Sequence, residues 1–189
     1  MLTRILYTSY QWWRHHSQLR SVVVEASKQI NNVLELNASA LHAQGVQHVV
    51  LDVDGVLTPH GQTHLSPEVA GWLNQLHQDF HGCIFILTNN PYGSRLRYLQ
   101  QTFSFLKVIQ ATRKKPYPDG LLQVIREMQC NADQVVMVDD RLATGCLAAC
   151  IAGVQVRWVT QPMIDFKRHR CKEYFFIILR RLDKLLIIK

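Results

Sequence analysis

Residues 51–58 read LDVDGVLT, and this stretch decides the fold. The apolar residues from His48 onward have strand length, so Asp52 and Asp54 leave the carboxyl end of a buried strand. Alternation along the extended chain points both carboxylates the same way, and Gly55 then allows a sharp turn. Two like charges at this spacing repel unless a cation or a shared proton lies between them, which indicates Mg²⁺ beside a phosphate. The Asp-Gly pair alone is equally typical of a plain turn.

Short apolar runs alternate with helical periodicity on both sides of this stretch, which is typical of a parallel sheet covered by helices. The runs of strand length are residues 48–53, 83–88, 105–109, 135–138 and 154–159. Helices are expected to begin after Ser66 and to cover residues 94–102, 118–129 and 142–152, the last of them ending at Gly153. The pattern predicts an α/β three-layer sandwich, with five parallel strands and helices on both faces.

Polar side chains follow three further strands, and the carboxyl ends of parallel strands form the ligand crevice of such a sheet. Thr88 and Asn89 follow the second strand and offer donors for phosphate oxygens. Lys115 follows the third strand and can neutralise a phosphoryl group, while Asp139 and Asp140 follow the fourth. Each motif alone is also typical of a turn, a solvated basic loop or a helix N-cap. The order of acid, hydroxyl, lysine and acid is the stronger signal.

This order of motifs resembles the haloacid dehalogenase (HAD) phosphohydrolase superfamily, over about residues 46–164. The resemblance implies a HAD-like Rossmannoid fold, an Mg²⁺ cofactor and hydrolysis of a phosphomonoester through an aspartyl-phosphate. By position, Asp52 would be the nucleophile and a metal ligand. Asp54 would be the general acid and then the base, with its backbone carbonyl on the metal. In that role Asp54 should have its pKa raised by the like charges around it.

The remaining motifs carry over in the same way. Thr88 and Asn89 would bind the transferring phosphoryl group. Lys115 would bind the phosphoryl group as well and offset charge on the nucleophile. Asp140 would complete the metal site formed with Asp52 and Asp54.

A narrower resemblance lies in residues 88–90, 114–116 and 138–144, the last of which read VDDRLAT. It is similar to the capless HAD branch that contains phosphatidylglycerophosphate phosphatases, whose fourth motif reads approximately GD-[RQ]-L-x-TD. Two positions depart from that pattern, because Asp139 replaces the glycine and Gly145 replaces the second aspartate. The short segments between the motifs leave no room for a large cap domain, so the crevice suits a substrate that is large or fixed in a surface.

The net charge of +7 lies wholly in the ends of the chain. Residues 1–45 form a helical, aromatic extension with charge +2, residues 46–164 form the neutral HAD-like domain, and residues 165–189 carry +5. Residues 165–189 are predicted to form a basic amphipathic helix, whose longest uncharged stretch is too short to span a bilayer. Its apolar stripe is expected to pack against the helical region at residues 22–41 or to lie on an anionic membrane surface. Nucleic acid is not an expected partner.

The cysteines form no CxxC pair, and the N-terminus shows no secretory signal, which favours a reducing, cytoplasmic location with a peripheral position on the inner face of a membrane. The leading hypothesis is an Mg²⁺-dependent phosphatase acting on a phospholipid headgroup phosphomonoester such as phosphatidylglycerophosphate. The alternatives are a soluble sugar-phosphate phosphatase and a catalytically weakened HAD-fold binding module, the latter suggested by Asp139 and Gly145.

Overall fold

The protein folds around a single parallel sheet in the computed structural model, which describes residues 2–91, 93–167 and 170–188. The strands are β1 (Gln29–Ile30), β2 (His48–Leu51), β3 (Cys83–Ile86), β4 (Lys107–Val108), β5 (Val135–Asp139) and β6 (Gln155–Val159). Their order in the sheet is β1-β6-β5-β2-β3-β4, and every pairing is parallel. The α/β sandwich is therefore confirmed.

The sheet has six strands, so the predicted number of five is wrong. The additional strand, β1, contributes two residues and pairs Gln29 with Trp158 and Ile30 with Val159. A strand of two half-buried residues leaves no apolar run in the sequence. It joins the N-terminal segment to the edge of the sheet.

In the part of the chain that the structure describes, eight α-helices connect and flank the strands. They are α1 (Leu2–Arg14), α2 (His16–Val24), α3 (Ala38–Ala43), α4 (Pro67–Asp79), α5 (Gly93–Thr102), α6 (Asp119–Met128), α7 (Leu147–Ala152) and α8 (Arg170–Ile188). The signals predicted at two helix ends are present. The Ser66 hydroxyl accepts a hydrogen bond from the Val69 amide at 3.3 Å, and Gly153 ends α7 in the left-handed conformation. A π-helical turn at Leu142–Cys146 precedes α7.

Alternate residues of the central strand β2 enter two separate apolar clusters, one on each face of the sheet. Val49 and Leu51 pack with α4, whereas Val50 packs with α6 and α7. This alternation builds the three layers and leaves the carboxyl ends of the strands free of the core.

Helix α8 packs on the domain with its charged side and exposes its apolar side. Glu173 and Asp183 are buried, as is Ile187 near the end of the helix. The stripe that the sequence shows is largely exposed, its members Phe175, Ile178, Leu182, Leu185 and Leu186 being 48–62% accessible. The prediction that this stripe packs against the N-terminal helical region is therefore wrong, because ion pairs take the inner face of α8.

One apolar residue nevertheless anchors α8 to the N-terminal region. Ile187 is fully buried in the cluster that contains Leu19 and Val22 of α2. Among the helices of the described ranges, none combines the length and the apolar character needed to cross a bilayer.

Replacement of Ile187 by alanine tests this anchor. We expect Ile187→Ala to lower the free energy of unfolding by about 2–4 kcal/mol, because it removes buried methyl groups and leaves a cavity. Leu186→Ala is the matched control, since Leu186 is 62% exposed and should change stability by less than about 0.5 kcal/mol. Urea denaturation measures both, and equal effects of the two substitutions would contradict the observed orientation of α8.

Candidate active site

The carboxyl ends of β2, β3 and β5 open into one cleft of about 530 Å³. Asp52 and Asp54 line it from β2, and Asp140 lines it from the end of β5. Gly55 has a φ of 86°, and a Cβ at this position would lie 2.7 Å from Asp140 Oδ2. Glycine is therefore required here both for the turn and for the close approach of Asp140.

A buried lysine joins two of the carboxylates in this cleft. Lys115 Nζ lies 3.0 Å from Asp52 Oδ1 and 2.6 Å from Asp139 Oδ2. The Asn89 amide clamps the backbone of the same lysine, because its Nδ2 donates to the Lys115 carbonyl at 3.0 Å and its Oδ1 accepts from the Lys115 amide at 2.7 Å. Asn89, predicted as a phosphoryl ligand, thus positions Lys115 in this structure.

Arg180 of α8 binds Asp140, one of the carboxylates that line the cleft. Its Nε donates to Asp140 Oδ2 at 2.5 Å, and its Nη2 contacts the same oxygen. Arg4 of α1 also reaches the cleft, where it donates to the carbonyl oxygen of Lys115. Both terminal helices therefore contribute an arginine to the site.

Three carboxylates form a cluster that suits an oxygen-liganded cation. Oxygens of Asp52, Asp139 and Asp140 all lie within 4.8 Å of one another. Burial, assisted by the charges of the neighbouring carboxylates, raises the pKa of Asp52 to about 7 against the opposing charge of Lys115. Burial likewise raises the pKa of Asp140 to about 6, opposed first by Arg180. The Oδ1 atom of Asp140 is buried without a hydrogen-bond donor among the described residues, so the donor set fits Mg²⁺.

Asp54 is paired with an arginine that the sequence did not reveal as a partner. Arg95 makes a bidentate contact, with Nη1 2.6 Å from Oδ1 and Nη2 3.0 Å from Oδ2, and the Gly61 amide donates to Oδ1 at 3.1 Å. Burial acts to raise the pKa of Asp54, but the hydrogen bonds and charge of Arg95 outweigh burial and hold that pKa below its ordinary value. The prediction of a raised pKa is wrong for this structure because it overlooked Arg95.

Thr88 and His60 also line the cleft. The Thr88 hydroxyl accepts a hydrogen bond from the Asn90 amide at 3.1 Å, which leaves its own proton available to a ligand. His60 is buried, its Nδ1 lies 3.2 Å from Glu173 Oε2, and its ring stacks on Phe176 at 3.9 Å between centroids. This contact joins α8 to the loop that follows β2.

The two departures in the fourth motif are explained by one contact. A Cβ at position 145 would lie 1.9 Å from Asp139 Oδ2. The carboxylate of Asp139, which is bound to Lys115, thus fills the space where a side chain at 145 would begin. Asp139 also accepts the Arg141 amide at 2.8 Å, so it caps the following turn while it pairs with the lysine.

Residues 3–153 match the sequence profile of the haloacid dehalogenase-like hydrolases, which is more than half of the chain. This protein belongs to the haloacid dehalogenase-like hydrolase family. Arg180 and the rest of α8 lie outside the matched residues. No curated protein shows significant sequence similarity to the chain.

Several solved structures are similar to this chain at low sequence identity. An uncharacterised protein from Listeria monocytogenes serotype 4b is 17% identical, with a TM-score of 0.50 over 65% of this chain and 84% of that one. A hypothetical protein from Xanthomonas campestris is 22% identical, with a TM-score of 0.48 over 72% and 76%. A HAD-superfamily hydrolase of subfamily IA from Geobacter sulfurreducens is 18% identical, with a TM-score of 0.42 over 59% and 86%.

The residues that sequence reasoning missed are the cationic partners. Arg95 lies on α5, Arg4 on α1 and Arg180 on α8, each far in sequence from the aspartate or lysine that it contacts. A helical arginine carries no local signal that distinguishes a buried partner from a solvated surface charge. The excess of basic residues in the two ends of the chain is a hint to Arg4 and Arg180, but it is equally typical of charges on the surface.

A double-mutant cycle tests the link between positions 139 and 145. Gly145→Asp alone should lower the free energy of unfolding by about 2 kcal/mol, because its side chain overlaps the Asp139 carboxylate. Asp139→Gly alone should also destabilise, because it removes a buried partner of Lys115. We expect the double variant to cost at least about 1 kcal/mol less than the sum of the two, since each change makes room or supplies charge for the other. Urea denaturation of the three variants gives the coupling, and additive costs would contradict the contact.

Proposed function

We propose that the protein is an Mg²⁺-dependent phosphatase that hydrolyses a phosphomonoester through an aspartyl-phosphate on Asp52. The observation that carries this proposal is the buried lysine between Asp52 and Asp139, next to a cluster of three carboxylates at the carboxyl ends of β2 and β5. A carboxylate next to a fixed positive charge and a cation site provides a nucleophile together with charge stabilisation for phosphoryl transfer.

The two displacements balance with the residues present. In the first step an oxygen of Asp52 forms a bond to phosphorus, the bond to the leaving oxygen breaks, and that oxygen takes a proton from Asp54. In the second step Asp54 takes a proton from water, whose oxygen displaces Asp52 from phosphorus. Arg95 holds Asp54 ionised before substrate binds, and the negative charge of a bound phosphate favours its protonation. Lys115 and the Thr88 hydroxyl stabilise the transferred group.

The carboxylates of Asp52 and Asp140 would hold the cation, with Asp139 beside them in the same cluster. When bound, Mg²⁺ offsets charge on the phosphoryl oxygens. Lys115 keeps Asp52 oriented whether or not the cation is present, because both groups are buried and Lys115 Nζ lies 3.0 Å from Asp52 Oδ1.

Substitution of the nucleophile tests the reaction. Asp52→Asn should reduce Mg²⁺-dependent phosphate release to the level of the buffer, because an amide cannot form the acyl phosphate, and EDTA should do the same to the unsubstituted protein. Asp79→Asn is the control, since Asp79 is exposed on α4, where its contact is with Gln75. Phosphate release is measured on a panel of phosphomonoesters. Activity that persists in purified Asp52→Asn would contradict the mechanism, and no release from any ester by the unsubstituted protein would favour the binding-module alternative.

The surface around the cleft supports a lipid-linked substrate. Arg4 of α1 and Phe176 of α8 line the cleft, so the two terminal helices flank its opening. The same helices direct apolar side chains outward. On α1 these are Leu2, Ile5, Leu6, Tyr10 and Trp13, and on α8 they are Tyr174, Phe175, Ile178, Leu182, Leu185, Leu186 and Ile188. Exposed apolar faces of this extent are typical of contact with a membrane or a partner.

Charge favours an anionic bilayer as the partner. The terminal segments carry all of the net positive charge, and Arg181 and Lys184 are exposed on α8 beside its apolar residues. A helix with apolar and basic exposed residues binds the interface of anionic lipid. We therefore propose that the protein acts at such a surface on a phospholipid headgroup phosphomonoester, with phosphatidylglycerophosphate as the first substrate to test.

Paired substitutions on α8 separate the lipid substrate from a soluble sugar phosphate. Leu182→Ser with Leu186→Ser should weaken binding to vesicles of anionic phospholipid at least about tenfold, because two exposed leucines no longer enter the bilayer. Turnover of phosphatidylglycerophosphate in those vesicles should fall in parallel, while turnover of a small phosphate ester should not change. Leu122→Ser on α6 replaces a leucine that is also exposed and serves as the control. Faster turnover of sugar phosphates than of vesicle substrate, unaffected by either change, would favour the soluble enzyme.

A further inference from the structure

Arg180 is bound to one of the carboxylates that would hold the cation. Its guanidinium is bound to Asp140 Oδ2, and Asp140 belongs to the cluster with Asp52 and Asp139. Its Nη1 is buried and has no hydrogen-bond acceptor among the described residues. A buried guanidinium nitrogen without an acceptor is unfavourable, so a side-chain movement that gives it one would be favoured.

Neighbouring contacts fix the position of Arg180. Glu173, about two helical turns before it on α8, is fully buried and contacts His60. Asp183, nearly one turn after it, contacts Arg141 Nε at 3.2 Å and the Ala143 amide at 3.4 Å. Because α8 is tied to the domain on both sides of Arg180, this arginine is held at the site by the fold and not by its contact with Asp140 alone.

The charges of the cluster are unevenly matched. Three carboxylates face the two cations Lys115 and Arg180, both of which are bound in the same pocket. A divalent cation on Asp52 and Asp140 would place an excess of positive charge there unless Arg180 gave up Asp140. Released from Asp140, a guanidinium is well shaped for two parallel hydrogen bonds to a phosphate.

We propose that Arg180 is a substrate-positioning residue. It pairs with Asp140 in the empty site, and it hydrogen-bonds to the substrate phosphate instead when a divalent cation binds. Arg180 therefore lowers the affinity of the empty site for the cation and raises the affinity of the loaded site for the phosphoryl group. Cation and substrate binding become coupled through one side chain of α8. This inference rests on the proposed function for the identity of the substrate group.

Calorimetric titration of the full chain with Mg²⁺ tests the first half of the proposal without any turnover. Removal of one opposing charge from the buried site should make Arg180→Met bind Mg²⁺ about tenfold more tightly than the unsubstituted protein. Arg181→Met, which removes the adjacent exposed arginine of α8, should leave the affinity unchanged. Equal or weaker Mg²⁺ binding by Arg180→Met overturns the proposal.

The second half of the proposal predicts that Arg180→Met binds Mg²⁺ more tightly but substrate more weakly. For the phosphomonoester that the protein hydrolyses fastest, Arg180→Met should raise KM about tenfold or more, because a charge-assisted contact to phosphate is lost. Arg180→Lys, which keeps the charge, should stay closer to the unsubstituted protein in both measurements. It also serves if Arg180→Met fails to fold, as judged by thermal unfolding, because a lysine cannot make two parallel hydrogen bonds to phosphate, so its KM should still exceed that of the unsubstituted protein. An unchanged KM in Arg180→Lys would then overturn the proposal.

The outcomes also separate this inference from the proposed function. If Asp52→Asn abolishes activity but Arg180→Met changes neither Mg²⁺ affinity nor KM, the phosphatase stands and the role of Arg180 is wrong. If neither the unsubstituted protein nor Arg180→Met binds Mg²⁺, the proposed function and this inference both fail.

Discussion

The structure depends on how three buried carboxylates are held at the end of one sheet. Asp52, Asp139 and Asp140 leave neighbouring strands, and burial alone would strongly disfavour their ionisation. Lys115 pairs with two of them and Arg180 with the third. The raised pKa values of Asp52 and Asp140 show that this compensation is incomplete, so the site retains affinity for a further positive charge. This incompletely compensated negative charge is the physical basis for a cation site.

The terminal helices connect this electrostatic centre to the surface. Charged residues on the inner face of α8 hold the helix against the site through contacts with His60, Asp140 and Arg141. Because ion pairs occupy the inner face, most of the large apolar residues of the helix point outward, and only Ile187 among its apolar residues is fully buried. The same arrangement that places Arg180 in the cleft therefore creates the exposed apolar surface beside it. One helix therefore joins the carboxylate cluster to the exposed apolar surface in this chain.

Much of the fold was predictable because its signals are local. Apolar runs of strand length followed by Asp52, Thr88 and Asp140 located the sheet edge at which the site forms. The two-residue strand β1 was not predictable, since pairing with β6 gives it extended structure without an apolar run. The sequence left two positions open for the apolar stripe of α8, because helical periodicity shows that a face is apolar but not whether ion pairs on another face bind the helix to the domain. The partners Arg95 and Arg180 required knowledge of tertiary contacts.

The most direct test of the account is a crystal structure of the protein grown with Mn²⁺ and beryllium fluoride, which together mimic the cation and the phosphorylated aspartate. The account predicts a fluoroberyllate group on Asp52 contacted by Lys115, and an anomalous peak for Mn²⁺ on Asp52 and Asp140, with Arg180 moved away from Asp140. An Asp52 carboxylate without the adduct, in crystals whose Mn²⁺ lies outside the cleft, would contradict it.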